Sequence, residues 1–391
     1  MDEKPLFIDL GFTQMFKHRQ DICGDSFRFN RNGDGRVVAV LSDGLGSGVK
    51  ANILASMTAT MALRFALENS EILRAAEIMM SALPVCKVRK ISYATFTIVN
   101  AGLHGVTRVI EMGNPRFLLF RGAELQSPEY RNLESPAWQD RRMNVYHFQV
   151  EPADRLIFFS DGVSQAGMGT TSLPLGWRRQ GCAEYVGQIL HESPEISSHE
   201  LCQRILEAAC RREPTGFAKD DMTCASLYFR HPRQMLLFTG PPYDPGRDRE
   251  CAEIVGKYPG EKVVSGGTSA EIISRELKRD LRVDLKNISP DMPPTARMDG
   301  IDLVTEGIFT LTKCAQYLES HDSHRPVNAA SQLADMMLRN DLIEILVGTR
   351  INEAHQDPKL PLDLELRRNI VRRIAAVLEK KFLKKVSVRY V

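Results

Sequence analysis

An α+β sandwich followed by a smaller α/β domain is the architecture this sequence predicts, and three observations predict it. Short apolar, strand-like runs fill much of the first 230 residues; two long helical segments interrupt them early and two late; from Arg233 onward strands and helices alternate. Strands grouped apart from helices build layered α+β sandwiches, whereas βαβα alternation builds a parallel sheet clothed in helices. The expected domains are residues 1–230 and 231–391.

Each element follows from its local chemistry. Arg36–Ser42 (RVVAVLS) is an apolar run closed by Asp43-Gly44, so it reads as a strand ending in a turn. Ser47–Asn69 holds no proline, its only glycine is Gly48 near the start, and it is rich in Ala, Met and Leu, which predicts a long helix. A second helix is expected over Glu71–Leu83, stopped by Pro84. Tyr93–Val99, Gly105–Met112, Arg116–Phe120 and Met143–Val150 follow as strands, then Asp154–Ser160, again ending in Asp-Gly at Asp161-Gly162. Helices over Ala183–His191 and His199–Arg211 precede a last strand, Met222–Phe229. In the second region Gln234–Thr239 is strand-like, Asp248–Tyr258 helical, Lys262–Ser265 a strand, and Gly266-Gly267 opens a helix through Leu277. A helix over Leu364–Lys385 and a strand over Val386–Val391 end the chain.

Composition excludes several classes. With 51 Lys+Arg against 49 Asp+Glu in 391 residues, the formal charge of +2 is not that of a general polybasic nucleic-acid binder. Hydrophobic residues at 43% and charged ones at 26% fit a folded protein rather than a disordered one. No run approaches the ~18 apolar residues of a membrane span. The acidic N-terminus MDEKPLFIDL lacks the zones of a signal peptide, so the cytoplasm is expected. Cys23, Cys86, Cys182, Cys202, Cys210, Cys224, Cys251 and Cys314 are scattered without a Cys-x-x-Cys pair, which predicts structural thiols rather than disulfides or zinc.

The aspartates carry the chemistry. Asp25 lies in GDSF, Asp43 in SDGLGSG, Asp161 in SDGV, and Asp220-Asp221 precede Met222-Thr223, each at the end of an expected strand beside glycine or a small or polar residue. One Asp-Gly after a strand is ordinarily a turn. Several in one domain point further, because hard divalent cations need clustered oxygen ligands. The pattern predicts two Mg²⁺ or Mn²⁺ ions, a pair able to activate water and clamp a phosphoryl oxygen.

The order GDS, SDGLGSG, YATFTIV, EMGNPRFLLFRG, RLIFFSDGV, DDMT over Phe7–Arg230 resembles the SpoIIE-like branch of the type 2C, metal-dependent serine/threonine phosphatases. The resemblance implies an αββα sandwich with a dinuclear Mn²⁺/Mg²⁺ centre at one edge. By motif, it implies that Asp25 and Asp43 bridge the metals, that Gly44 offers a backbone carbonyl, and that Asp161 and Asp220 are further ligands, with Asp221 as neighbour in the last pair. It further implies attack of a metal-activated water on a phosphoserine or phosphothreonine, with a small phosphorylated antagonist of an anti-sigma factor as a frequent bacterial substrate. The segments Ser47–Asn69 and Glu71–Leu83 are implied to act as a regulatory switch. One departure stands out. The arginine that clamps phosphate in eukaryotic members has no clear counterpart; His18 and Arg19 are near the position but out of register.

The second region offers less. Gly266-Gly267-Thr268-Ser269 follows a strand and starts a helix, where amides can cradle a small anionic ligand, yet Thr268 or Ser269 is equally a good helix cap. Phe238–Tyr243 is expected on the same sheet edge. His321-Asp322-Ser323-His324 reads as a polar loop for want of a third ligand. The last helix presents Ile370, Ile374, Leu378 and Phe382 on one face and eight Lys/Arg elsewhere, as a docked helix with a solvated basic face does. The leading expectation is a protein phosphatase controlled by its C-terminal domain. The rival is a non-catalytic sensor or scaffold that keeps the fold and signals by binding, against which the intact set of carboxylate motifs weighs. A small-molecule phosphatase using the same centre is a third reading. The assembly state is left open, a homodimer included.

Overall fold

Apolar and β-branched runs separated by glycine and proline turns give this chain its strands, and the chain divides into two compact units, Met1–His231 and Pro232–Val391. The computed structural model describes residues 5–68, 74–75, 77–79, 94–134, 142–283, 293–320, 326–350 and 360–391, with 360–365 as backbone only.

The first unit contains, in order, β1 (Phe7–Met15), β2 (Asp25–Arg31), β3 (Val37–Gly44), α1 (Val49–Leu67), β4 (Ala94–Ala101), β5 (Val106–Met112), β6 (Leu118–Arg121), β7 (Glu124–Gln126), β8 (Tyr130–Glu134), β9 (Arg142–Gln149), β10 (Asp154–Phe159), the single turn α2 (Asp161–Ser164), α3 (Arg178–Glu192), α4 (Ser198–Cys210) and β11 (Met222–Arg230). Among the described residues they form two antiparallel sheets, ordered β1-β11-β10-β6-β7 and β2-β3-β4-β5-β9-β8. Both faces of the central strands are covered, so β10 and β11 are buried along their whole length. That burial explains why they read as continuous apolar runs rather than alternating ones.

Side-chain alternation sorts the layers. From the first sheet, Leu118, Phe120, Ile157 and Phe159 pack outward against Val186 and Leu190 of α3 and Leu201 and Ile205 of α4. From the second, Val38, Val40, Phe96 and Ile98 pack against Ala59, Ala62 and Ala66 of α1. Alanines at helical spacing let α1 lie close on the sheet. Between the sheets Phe27 meets Phe158 with ring centroids 6.1 Å apart, and Phe117 meets Tyr146 edge-on at 4.8 Å. Burying one such ring contributes ~1.5–3 kcal/mol. Ser197 caps α4, accepting from the Glu200 amide at 3.2 Å. The result is the expected αββα sandwich.

The second unit contains β12 (Gln234–Thr239), α5 (Asp248–Lys257), β13 (Glu261–Ser265), α6 (Gly267–Leu277), β14 (Arg282–Val283), β15 (Ala296–Met298), β16 (Ile301–Thr305), α7 (Ile308–Glu319), α8 (Ala329–Arg339), β17 (Leu342–Val347), α9 (Leu360–Phe382) and β18 (Lys385–Tyr390). Its sheet runs β14-β15-β16-β13-β12-β17-β18, and β16, β13, β12, β17 and β18 are mutually parallel. Leu237, Val263 and Ile345 face α7, α8 and α9, while Phe238, Val264 and Leu346 face α5 and α6. This is an open, doubly wound α/β sheet whose strand order reverses between β12 and β17. Its base is tied by a buried ion pair: Lys384 Nζ lies 3.3 Å from Asp341 Oδ1, and Asp341 Oδ2 accepts from the Arg233 amide at 3.0 Å.

Some element bounds differ from expectation. The helix expected over Ser47–Asn69 runs Val49–Leu67. Of Glu71–Leu83, the described residues 74–75 and 77–79 are helical and the rest lie outside the described residues. Strand β1 escapes sequence reading because Gly11 interrupts it; a Cβ there would stand 2.2 Å from the His199 amide nitrogen, so the start of α4 lies directly on its backbone. The terminal helix ends at Phe382 rather than Lys385, where Leu383 turns to φ 52. The basic residues of α9 partly serve its docking, since Arg373 pairs with Glu319 of α7 and Lys381 donates to the Leu318 carbonyl at 3.0 Å. His321–His324 lies outside the described residues. The described cysteines form no disulfide, and Cys86 lies outside the described residues. No helix among the described residues is long and apolar enough to cross a membrane.

Candidate metal centre

The first unit gathers its carboxylates from strand ends on both sheets. Asp25 opens β2, Asp43 nearly closes β3, and antiparallel register sets the two directly opposite one another. Asp161 follows β10 as the first residue of α2. Asp220 and Asp221 immediately precede β11. The polypeptide thus delivers these side chains from positions as far apart as 25 and 221 in sequence.

Asp25 is 3% exposed and is held by the Thr223 hydroxyl, which donates to Oδ2 at 2.7 Å. Thr223 in turn accepts from Gln14 Nε2 at 3.1 Å, and its amide donates to Ser160 Oγ at 2.9 Å. Burial pushes the Asp25 carboxyl up to about 7 against the pull of Thr223 and Ser160, with Asp221 and Asp161 adding to the rise. Asp43 is raised well above the usual carboxylate range, first by burial, then by the negative charges of Asp25 and Asp161 and by a hydrogen bond with Asp161. Burial also raises Asp220, opposed by the Asp221 amide and Lys17. Asp161 Oδ2 accepts from Gln165 Nε2 at 2.8 Å.

The last two aspartates have different surroundings. Both oxygens of Asp221 are engaged by backbone: Oδ1 accepts from the Lys17 amide at 3.0 Å and Oδ2 from the Gly24 amide at 2.8 Å. Asp221 therefore anchors the loop between β1 and β2. Asp220 is half-exposed, with the Lys17 ammonium 3.9 Å away. Glycines permit the close packing around these groups. A Cβ on Gly162 would stand 2.1 Å from the Asp221 carbonyl, and one on Gly44 would stand 2.2 Å from the Ala51 carbonyl of α1. His18 stacks on Phe217 at 4.3 Å, and Arg19 adopts φ 65.

The donor set fits a hard divalent cation. It is made of oxygen and is anionic, with Asp25 buried and Asp43, Asp161 and Asp220 partly exposed, and its members repel one another until a cation neutralises them. Among the described residues no three His, Cys, Asp or Glu side chains are grouped closely enough to hold a metal ion as they stand.

Sequence reasoning found the aspartates but not their supports. Thr223 stood in the DDMT motif without a role, and nothing local singled out Lys17, Gln14, Ser160 or Gln165. In the second unit, Gly266-Gly267-Thr268-Ser269 does link β13 to α6.

A family model described as Stage II sporulation protein E (SpoIIE) matches residues 33–230. The Stage II sporulation protein E of Priestia megaterium is 22% identical over 229 residues, covering 58% of this chain and 37% of that relative. The chain thus spans little more than a third of the curated relative it matches. Among solved structures, the phosphatase domain of SpoIIE from Bacillus subtilis is similar at 16% identity and a TM-score of 0.44, covering 59% of this chain and 95% of that one. The RsbU and RsbW domains of a Mycobacterium tuberculosis protein are similar at 20% identity and a TM-score of 0.49, covering 64% and 69%.

Proposed function

The chain belongs to the SpoIIE family, and from that membership we propose that it is a metal-dependent phosphoserine/phosphothreonine protein phosphatase of bacterial signalling. The observation that supports this reading best is the direct pairing of Asp25 with Asp43 across β2 and β3. Asp25, Asp43, Asp161, Asp220 and the Gly44 carbonyl would hold two Mn²⁺ or Mg²⁺ ions. When bound, such a pair supplies a water acidic enough to ionise near neutrality and neutralises phosphoryl oxygens.

The remaining work falls to the chain. Thr223 occupies one oxygen of Asp25 and so fixes which oxygen faces the centre. Gln165 does the same for Asp161. Asp221 pins the loop that carries Gly24 and Lys17, and through it the start of β2. Lys17, beside Asp220, is a cation within reach of an incoming phosphate where no clamping arginine is in register. Asp221 on this reading is a positioning residue rather than a ligand. The substrate class is a phosphorylated protein, such as an anti-sigma-factor antagonist in the cytoplasm, and the second unit sets the output.

The test is hydrolysis of p-nitrophenyl phosphate and of a phosphoserine peptide in EDTA, Mg²⁺ and Mn²⁺, with Asp161→Asn alongside. Turnover that needs metal and is lost in Asp161→Asn supports the proposal. A wild-type chain that neither turns over nor binds Mn²⁺ calorimetrically sinks it.

A further inference from the structure

Four neighbouring parallel strands of the second unit stop at one level. Val347, Thr239, Ser265 and Thr305 are consecutive partners across β17, β12, β13 and β16. Each is followed within two residues by glycine: Gly348, Gly240, Gly266 and Gly307. The carboxyl edge of the sheet is therefore floored by backbone, and it spans the place where strand order reverses. Crevices of that kind take ligands in open α/β sheets.

Two of these glycines, Gly240 and Gly266, lie in the left-handed region at φ 78 and φ 122. Gly266 and Gly307 approach so closely that a Cβ on Gly307 would stand 3.4 Å from the Gly266 Cα. Helix α6 begins directly on Gly266, with no side chain capping it and no acidic residue in its first turn. At the neighbouring α7 the Glu306 carboxylate already accepts from the Phe309 amide at 3.2 Å. The start of α6 keeps its positive end open to an anion from outside.

Hydroxyl groups point to the same conclusion. Ser269, in the first turn of α6, is fully buried, and its Oγ has no hydrogen-bond partner within the chain. That oxygen lies 3.3 Å from where a Cβ on Gly266 would stand. Thr239, on the neighbouring strand end, is equally buried with its Oγ1 unpartnered. A buried hydroxyl without a partner is costly, and a ligand acceptor would remove that cost. Across the reversal point the Arg367 guanidinium lies over Gly240, its Nη1 2.6 Å from the site of a Cβ. The edge thus combines an open helix start, unpartnered hydroxyls, a guanidinium and bare backbone.

We propose that this edge binds a small phosphorylated ligand, its phosphate over Gly266–Gly267 at the start of α6 with Ser269 beneath and Arg367 flanking. An organic phosphate ester and free inorganic phosphate share that chemistry, so both serve as probes. The full chain is titrated calorimetrically with ADP and, separately, with inorganic phosphate in EDTA, which keeps cations from drawing either probe to the carboxylate centre.

The decisive variant is Gly267→Asp. A Cβ on Gly267 meets nothing within 4 Å, and a carboxylate in the first turn favours the helix while repelling an anion. Saturable binding that weakens about tenfold or more in Gly267→Asp, with the melting temperature unchanged or raised, is the expected result. Gly267→Asn should bind nearly as the wild type, and Ser269→Ala several-fold more weakly without loss of stability. ADP binding tighter than phosphate identifies an ester, and equal binding identifies the free anion. Equal affinity of wild type and Gly267→Asp, or no saturation with either probe, overturns the proposal.

Discussion

Thr223 donates its hydroxyl to Asp25 over 2.7 Å although 198 residues separate them in sequence. The bond fixes one carboxylate oxygen of the first strand pair from the last strand of the unit, so the two sheets are locked in register at the centre itself. Replacing Thr223 with Val keeps shape and removes the donor. We expect a stability loss of ~1–2 kcal/mol, read by urea unfolding, and a marked fall in metal-dependent turnover. Thr223→Ser should restore both. Unchanged turnover in the Val variant would remove Thr223 from the centre.

The mutual repulsion of the carboxylates predicts a trade between stability and function. Asp43→Asn removes a carboxyl group whose ionised form is disfavoured by burial and by the charges of Asp25 and Asp161. In EDTA its melting temperature should equal or exceed that of the wild type, whereas the stabilisation that Mn²⁺ gives the wild type should vanish along with hydrolysis. Thermal scans with and without the metal check both halves.

Glu111 gives a pH dependence of known sign. It is 2% exposed, accepts from the Phe117 amide at 2.7 Å, and is pushed by burial to about 7 despite that amide, Tyr146, Arg116 and Arg179. A folded-state carboxyl pKa above the unfolded one costs stability as pH rises from about 4.5 to about 7, and the loss is complete above that. Glu111→Gln should therefore match the wild type near pH 4 and exceed it at pH 8 by about 1–3 kcal/mol. Denaturant midpoints at the two pH values decide it; a variant less stable at pH 8 would show that the carboxylate is held ionised.

In the second unit, Lys384 and Asp341 are 2% and 0% exposed in their side chains. Lys384→Met leaves a buried carboxylate uncompensated and should cost ~3–5 kcal/mol. Adding Asp341→Asn should recover part of that loss, as a double-mutant cycle would show.

What could be read from the sequence divides along physical lines. Asp43-Gly44 and Asp161-Gly162 were legible because a run of apolar residues ending in Asp-Gly is a local signal. Individual strands of the sandwich were legible from local apolar runs too, in YATFTIV and RLIFFS above all. Gly11 hid β1, since its purpose is close contact with α4, whose partner residues lie 187 and more positions away. The role of Asp221 was hidden likewise: the amides it binds belong to Lys17 and Gly24, 204 and 197 residues earlier. Periodicity reports which face of an element is buried and is silent on which distant group it meets. In the second unit, the β16–α7–α8–β17 stretch went unassigned although its strands, five and six residues long, are no shorter than β13 and β12.

The pairing of β1 with β11, from Phe7 opposite Arg230 to Met15 opposite Met222, has a consequence for biosynthesis. Sequence separation of this size makes folding slow and late. At ribosomal rates of roughly 5–20 residues per second, β1 waits about 10–40 seconds for its partner strand. During that interval β2 and β3 can form their hairpin and set Asp25 against Asp43, but the Thr223 hydroxyl and the Asp221 anchor do not yet exist. A nascent chain halted before residue 215 would lack Asp220, Asp221 and Thr223 and leave β1 as an unpaired strand edge, prone to association. Synthesis itself thereby delays assembly of the aspartate cluster until the first unit is complete.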